Sequence, residues 1–384
     1  MISQSYLFRK SALFLTLAAT VSLTSCDNDD DENITPDSPA YEVPATYNFA
    51  NVNYSGQTQR IAMLTAITDY VKAGNIKGTQ LDAQKLRDMY ANQGNPFTNV
   101  GSISNASELN SSGKQLKDKT YADHRAIFET YFDSVSVASS KNATATNGKA
   151  GVLASTTEPS KTWLVNANGI EYGQLIAKRM MGAVFYFQAM EGYLTENKIG
   201  NGVDNVTVKP GDGTPMEHHF DEAFGYFGAP KDFPTNLNGL KYWADYSNKV
   251  NKAYPSNKTM MDAFLKGRAA ISNKDMAGKD AAVATIRTEW ERVVAASAIY
   301  ELKAAKPFMG ANRDQAKVSH YLSEAIGFVY ALQYNATRKI SDAQMNSVLN
   351  KIGTNLYTTT EADVDAAMNE LVSIYGMNDI KDRL

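Results

Sequence analysis

NGIEYGQLIAKRMMGAVFYFQAMEGYLTEN, residues 168–197, is the stretch on which the reading of the fold turns. Ile170, Leu175, Met181, Val184, Phe185, Phe187 and Leu194 recur at helical spacing and cover several faces, not a single stripe. A helix that is apolar on several sides belongs in the middle of a bundle. Toward the N-terminus, Ser139 to Thr157 is almost all small residues and reads as a surface loop. Before it, Tyr121 to Val137 reads as helix on Ile127, Phe128, Tyr131 and Phe132, and Asn99 to Gly113 as loop. Ile61, Leu64, Ile67 and Val71 mark an earlier helix broken at Gly74 and Gly78, and Thr79 is expected to cap the next, which carries Leu81, Leu86 and Tyr90.

Toward the C-terminus, Gly200 to Gly213 reads as a loop whose Asp204 and Asp212 do not follow a calcium-loop pattern. Helices are expected at Met216–Phe227, Thr259–Ile271, Asp280–Lys306, Asn312–Asn335, Ser341–Lys351 and Glu361–Tyr375, with Ser341 and Thr360 as caps and residues 231–257 irregular. No stretch sustains an alternation of β-branched residues. The chain from residue 41 to 384 therefore reads as an all-α, multi-helix bundle, in one core or in two halves, 41–230 and 231–384. Glycines inside the helices (Gly173, Gly182, Gly192, Gly225, Gly327) suggest close helix–helix approach.

One pattern occurs twice. His218-His219-Phe220-Asp221-Glu222-Ala223-Phe224-Gly225-Tyr226 and His320-Tyr321-Leu322-Ser323-Glu324-Ala325-Ile326-Gly327-Phe328 both fit His-x-x-x-Glu-Ala-x-Gly-aromatic. Positions four apart lie on one helix face, so each segment presents an imidazole beside a carboxylate. The echo uses His218, His219 and His320 in a chain that has only 4 histidines. Two pairs facing each other would make a first shell for iron, zinc or another divalent ion. The plainer reading is that each pair clamps helix packing as a hydrogen bond. His124 and Glu191 are weaker additions to such a site. Trp163, Tyr242, Trp243 and Tyr246 could stack on a sugar, although core packing explains them as well. No nucleophile elbow, phosphate loop, dinucleotide fingerprint or zinc-protease helix occurs.

The front of the chain carries targeting information. Arg9 and Lys10 precede an uncharged apolar run from Ser11 to Leu23, too short to span a bilayer as a mature helix, and small residues follow. Leu23-Thr24-Ser25-Cys26 resembles the bacterial lipobox, which implies lipidation of Cys26, the one cysteine of the chain. Residues 1–26 then form a lipoprotein signal and 27–40 a tether. The acidic run Asp27 to Glu32 repels itself into an extended state, and it resembles the surface-export signal of Bacteroidetes lipoproteins. Localisation at the outer membrane is expected, at the cell surface or otherwise on the periplasmic face. A formal charge of −3 gives no reason to expect a nucleic-acid partner.

The lipobox with its acidic tail and the block from His218 to Pro230 resemble an uncharacterised family of Bacteroidetes lipoproteins, domain of unknown function 4856. That resemblance implies envelope localisation and an all-helical fold. More distantly, His219-x-x-Glu222 is similar to the Gly-x-His-x-x-Glu signature of imelysin-like proteins, helical exported proteins linked to iron uptake. Glu217 stands where that signature has glycine. Three functions remain open on these readings. The first is a non-enzymatic binding protein in metal or iron acquisition, beside an outer-membrane transport protein. The second is a metal-dependent, peptidase-like hydrolase. The third is a structural or interaction module without ligand.

Overall fold

In the computed structural model, which describes residues 40–384, the decisive segment is helical but not uniformly α. It runs as α-helix over Tyr172–Met180 and as π-helix over Met181–Tyr186 and Gln188–Tyr193. The wider winding takes carbonyls off the ordinary ladder, and donors from elsewhere in the chain reach them. The Trp243 indole donates to the Met181 carbonyl at 3.0 Å and the Tyr121 N–H to that of Ala183 at 2.9 Å. The Arg287 guanidinium donates to the Met190 carbonyl and, at 2.8 Å, to that of Leu194. Met180, Met181, Val184, Phe185 and Tyr186 are fully buried, so this helix lies at the centre, as its sequence implies.

In chain order the elements are α1 (Ser55–Ala73), α2 (Ala83–Ala91), α3 (Ala106–Ser111), α4 (Arg125–Ser140), β1 (Gly151–Ala154) and β2 (Thr162–Val165). Then follow α5 (Tyr172–Met180, with the π-helical continuation), α6 (Glu196–Ile199), α7 (Pro215–Phe227), α8 (Trp243–Val250) and α9 (Ser256–Ser272). α10 (Met276–Ala305), α11 (Gln315–Ala331), α12 (Asp342–Ile352) and α13 (Glu361–Tyr375) complete the order. Residues 41–384 hold together as one compact unit, an all-α bundle with a small two-stranded sheet. Among the described residues no helix is long and apolar enough to cross a membrane. The signal segment 1–26, Cys26 and the tether up to residue 39 lie outside the described residues.

Local chemistry explains where the helices start. Ser341 and Thr360 cap α12 and α13 as expected, each in a reciprocal box, with Gln344 and Asp363 respectively. Thr214 does the same for α7 with Glu217, Pro215 opens the first turn, and Gly228 closes the helix at a φ of 83°.

Four expectations are corrected. Asp82, not Thr79, caps α2. α3 lies inside the stretch read as loop, and α8 inside the stretch read as irregular. In α8 the apolar Trp243, Tyr246 and Val250 sit three and four apart, but polar neighbours and flanking prolines obscure so short a period. Finally, β1 pairs antiparallel with β2, from Gly151 opposite Val165 to Ala154 opposite Thr162. Strands of 4 residues are too short to show alternation. Their connection is held from outside, where Asp314 accepts from the Ser155 hydroxyl at 2.6 Å and the Thr157 hydroxyl at 2.9 Å.

Trp290 of α10 anchors the core, with Phe227 at 5.2 Å, Phe264 at 6.3 Å and Trp243 at 6.4 Å between ring centres. A buried charge cluster lies under α7. Arg268 of α9 bonds Asp221 at 2.8 Å and Glu217 at 2.7 Å, and Tyr47 donates to Asp221 at 2.9 Å.

Candidate functional site

The two halves of the sequence echo fall on α7 and α11, and each glycine does the same job there. A Cβ on Gly225 would lie 2.5 Å from the Tyr54 Cβ and 3.0 Å from the Gln57 Cβ; one on Gly327 would lie 2.6 Å from the Lys178 Cβ. Both contacts are closer than any side chain permits. The neighbouring helix therefore comes near enough to bring one polar group onto the glutamate three residues earlier. Gln57 of α1 donates to Glu222 at 2.9 Å, and Lys178 of α5 lies 3.5 Å from Glu324. Gly182 likewise admits Ala331, whereas the space at Gly192 is closed by Gln188 of its own helix, so helix approach does not explain that glycine.

His320 and Glu324 stand at the floor of a cavity of about 440 Å³ enclosed by α1, α5, α8 and α11. Each ring nitrogen of His320 faces a carboxylate, Nδ1 towards Glu171 at 2.8 Å and Nε2 towards Glu324 at 3.5 Å. Burial opposes a charge on the ring, but Glu171 and Glu324 outweigh it, and its pKa is raised above the usual 6.5. The β hairpin delivers Trp163 against the ring, 5.0 Å between centres. Glu171 is itself fixed to α11, its N–H donating to the Ser323 hydroxyl at 2.9 Å.

Glu324 is buried, yet it stays ionised: desolvation works against the charge, and Lys178 and His320 overcome it. Tyr246 of α8 donates to it at 3.1 Å. Behind it, burial and the neighbouring Glu324 charge push the Glu301 carboxyl of α10 well up. Lys178 has a side chain only 13 % exposed and lies over the Tyr246 ring at 4.9 Å. Apart from its 3.5 Å approach to Glu324, no carboxylate among the described residues pairs with it. Lys249 covers the other part of the Tyr246 ring at 4.0 Å and pairs with Asp245 at 3.6 Å. Across the cavity, Tyr242 shares a 3.1 Å hydrogen bond with Thr65 and holds a positive φ of 46°, a strained conformation for an aromatic residue.

The other pair, His219 and Glu222, lies apart from this floor. His219 Nδ1 is 3.3 Å and His218 Nε2 3.9 Å from Glu222. His218 and Glu222 line a separate cavity of about 230 Å³ at the Ser55 end of α1, which shares no lining residue with the first. The two pairs do not face each other, so the expected four-ligand shell does not form. The helices that carry them share the central helix as a neighbour but otherwise pack differently, α7 on α1, α6 and α9, and α11 on α10 and α12, and spacing within a helix says nothing about that. His219 bonds Glu222 and His320 bonds Glu171, whereas the partners four residues apart stand at 3.9 Å (His218–Glu222) and 3.5 Å (His320–Glu324). Among the described residues no group of three or more His, Cys, Asp or Glu side chains is placed to hold a metal ion.

The two weaker candidates are elsewhere. His124 Nδ1 bonds the Tyr334 hydroxyl at 2.8 Å, and burial lowers its pKa. Glu191 pairs with Arg287 at 3.2 Å and accepts from the Ala336 N–H at 3.0 Å, which holds the end of the π-helical segment. Of the aromatics read as stacking candidates, Trp243 is fully buried core and Tyr246 floors the first cavity. Glu171, Lys178 and Glu301 are not among the residues that the sequence singles out. A signal was present: Glu171, Gln174 and Lys178 form a polar stripe three and four apart along one face of α5.

Residues 44–383 match the family described as a domain of unknown function, DUF4856. The chain belongs to that family. No curated protein and no solved structure is similar enough to count as a match.

Proposed function

We propose that this DUF4856 chain is an exported lipoprotein, anchored through Cys26 at the outer membrane and displayed at the cell surface. In this reading it binds a small organic anion without transforming it and passes it to an outer-membrane transport protein. The anchor rests on Leu23-Thr24-Ser25-Cys26 and the acidic run behind it. The ligand rests on one observation, the charge balance of the larger cavity. Lys72, Lys178, Lys241 and Lys249 balance Asp69, Glu171, Asp245 and Glu324. Each protonation of His320, whose pKa its two carboxylates raise above 6.5, therefore tips the lining positive beside the little-exposed Lys178, to which no carboxylate among the described residues comes closer than 3.5 Å. Val71, Leu164 and Leu240 give the same cavity an apolar wall. A monocarboxylate with a compact apolar body satisfies both features. Metal acquisition fits this reading when the metal arrives as an anionic chelate. The sequence echo, with its matching glycine contacts, supports descent of 41–230 and 231–384 from related halves.

One set of preparations tests both parts. Small monocarboxylates are screened by thermal shift and calorimetry against wild type and Lys178→Met, and wild type and Cys26→Ala are followed through membrane fractionation. At least one carboxylate is expected to stabilise the wild type and not the lysine variant, while Cys26→Ala moves to the soluble fraction. Equal stabilisation of Lys178→Met, or no carboxylate bound at all, overturns the ligand. Membrane retention of Cys26→Ala overturns the anchor. Near-stoichiometric iron, zinc or manganese that is lost in His320→Ala would replace the anion by a metal ion in this cavity.

A further inference from the structure

The smaller cavity, at the Ser55 end of α1, has an unbalanced charge of its own. Arg60, one and a half turns into α1, is 5 % exposed. Its guanidinium donates to two backbone carbonyls, Nε to Gln115 at 2.9 Å and Nη1 to Gly56 at 3.3 Å. Among the described residues no carboxylate pairs with it, which is uncommon for a buried arginine. Lys114 and Lys119 line the same cavity and likewise form no ion pair among the described residues. Lys114 lies against Gly56, its Cε 3.3 Å from where a Cβ on that glycine would stand.

The two carboxylates in this lining are already engaged. Asp212 accepts from Asn53 at 2.7 Å and pairs with Lys209; Glu222 accepts from Gln57 at 2.9 Å and faces His219 at 3.3 Å. α1 has 19 residues and no acidic residue in its first turn, so no carboxylate there offsets the positive end of its dipole. The Asn53 side chain accepts from the Ser55 N–H and the Tyr54 carbonyl from that of Gln57, each at 3.1 Å. The His218 Nδ1 atom is buried there without a hydrogen-bond partner.

We propose that this cavity is a second binding site, for a tetrahedral oxyanion, either free phosphate or the phosphate group of a small ester. With Nε and one Nη1 hydrogen of Arg60 given to carbonyls, its remaining Nη1 and Nη2 hydrogens are left for the oxygens of an anion, and the positive end of the α1 dipole adds a favourable field. Lys114 and Lys119 supply charge at the mouth. The site is independent of the carboxylate cavity at the other end of α1.

The test titrates inorganic phosphate and glucose 6-phosphate into the purified protein in phosphate-free buffer, followed by calorimetry and phosphorus NMR. Wild type is expected to bind one of the two at a single site, and which one distinguishes the free anion from the ester. Lys114→Gln with Lys119→Gln, on accessible positions that leave the fold intact, should weaken binding about tenfold or more, the loss of charge-assisted contacts. Arg60→Met should abolish it, and Lys178→Met should leave it unchanged. Absence of binding to wild type at low-millimolar concentration overturns the proposal, as does unchanged affinity in the double lysine variant. If Arg60→Met fails to fold, the lysine variant decides alone.

Discussion

His320 is the residue whose chemistry depends most on its surroundings. Both nitrogens meet carboxylates, and the ring's pKa is raised above 6.5 although burial opposes it. A histidine with a raised folded-state pKa contributes its stabilisation in full below the unfolded value, and loses it as pH rises through the folded value. Urea denaturation of wild type and His320→Gln should therefore differ most at pH 6.5 and below, by about 1.5–3 kcal/mol for hydrogen bonds to a charged group. The gap should close as pH rises above 6.5; a gap that widened with pH would contradict a protonated ring. The sequence made His320 and Glu324 legible as neighbours, because four residues along a helix is one face. It could not supply Glu171, 149 positions away in the chain, or the buried Glu301 behind them. Those partners come from other helices, and their approach is decided by packing.

At the level of elements, two glycines set two distances. Gly225 and Gly327 admit α1 and α5 closely enough for Gln57 and Lys178 to reach the echo glutamates. Alanine at either position forces backbone or side-chain shifts costing about 1–3 kcal/mol, against which alanine recovers up to about 1 kcal/mol of helix propensity. Chemical denaturation should show both variants destabilised. Their effects on ligand should divide: Gly327→Ala displaces Lys178 and weakens carboxylate binding, while Gly225→Ala leaves it alone. A Gly327→Ala protein with wild-type stability and affinity would refute the close-approach account. Helix periods and caps were readable where segments were long, as in α12 and α13. The hairpin and α8 were not, since four to eight residues carry too few repeats of any period. That gap mattered, because the hairpin brings Trp163 to His320 and α8 brings Tyr246 to Glu324.

For the whole molecule, the all-helical class was legible because apolar residues recur at three and four nearly throughout. The relation between the two echo segments was not. Each His/Glu pair looked like half of one site, yet the fold gives each its own cavity along α1, one near Ser55 and one near Thr65 and Thr68. A sequence repeat records resemblance between helices and is silent on whether they meet.

The π-helical stretch carries a consequence for how the chain assembles. Carbonyls of Met181, Ala183, Met190 and Leu194 are satisfied by Trp243, Tyr121 and Arg287, from segments up to nearly a hundred positions away. The segment that looks most self-sufficient in the sequence is thus not autonomous. An isolated peptide of residues 168–197 should be largely unstructured in water by circular dichroism, and a strongly helical peptide would contradict this. During folding the central helix can consolidate only when α8 and α10 are already docking. It is then expected to become rigid together with those helices, and not as the seed around which they gather.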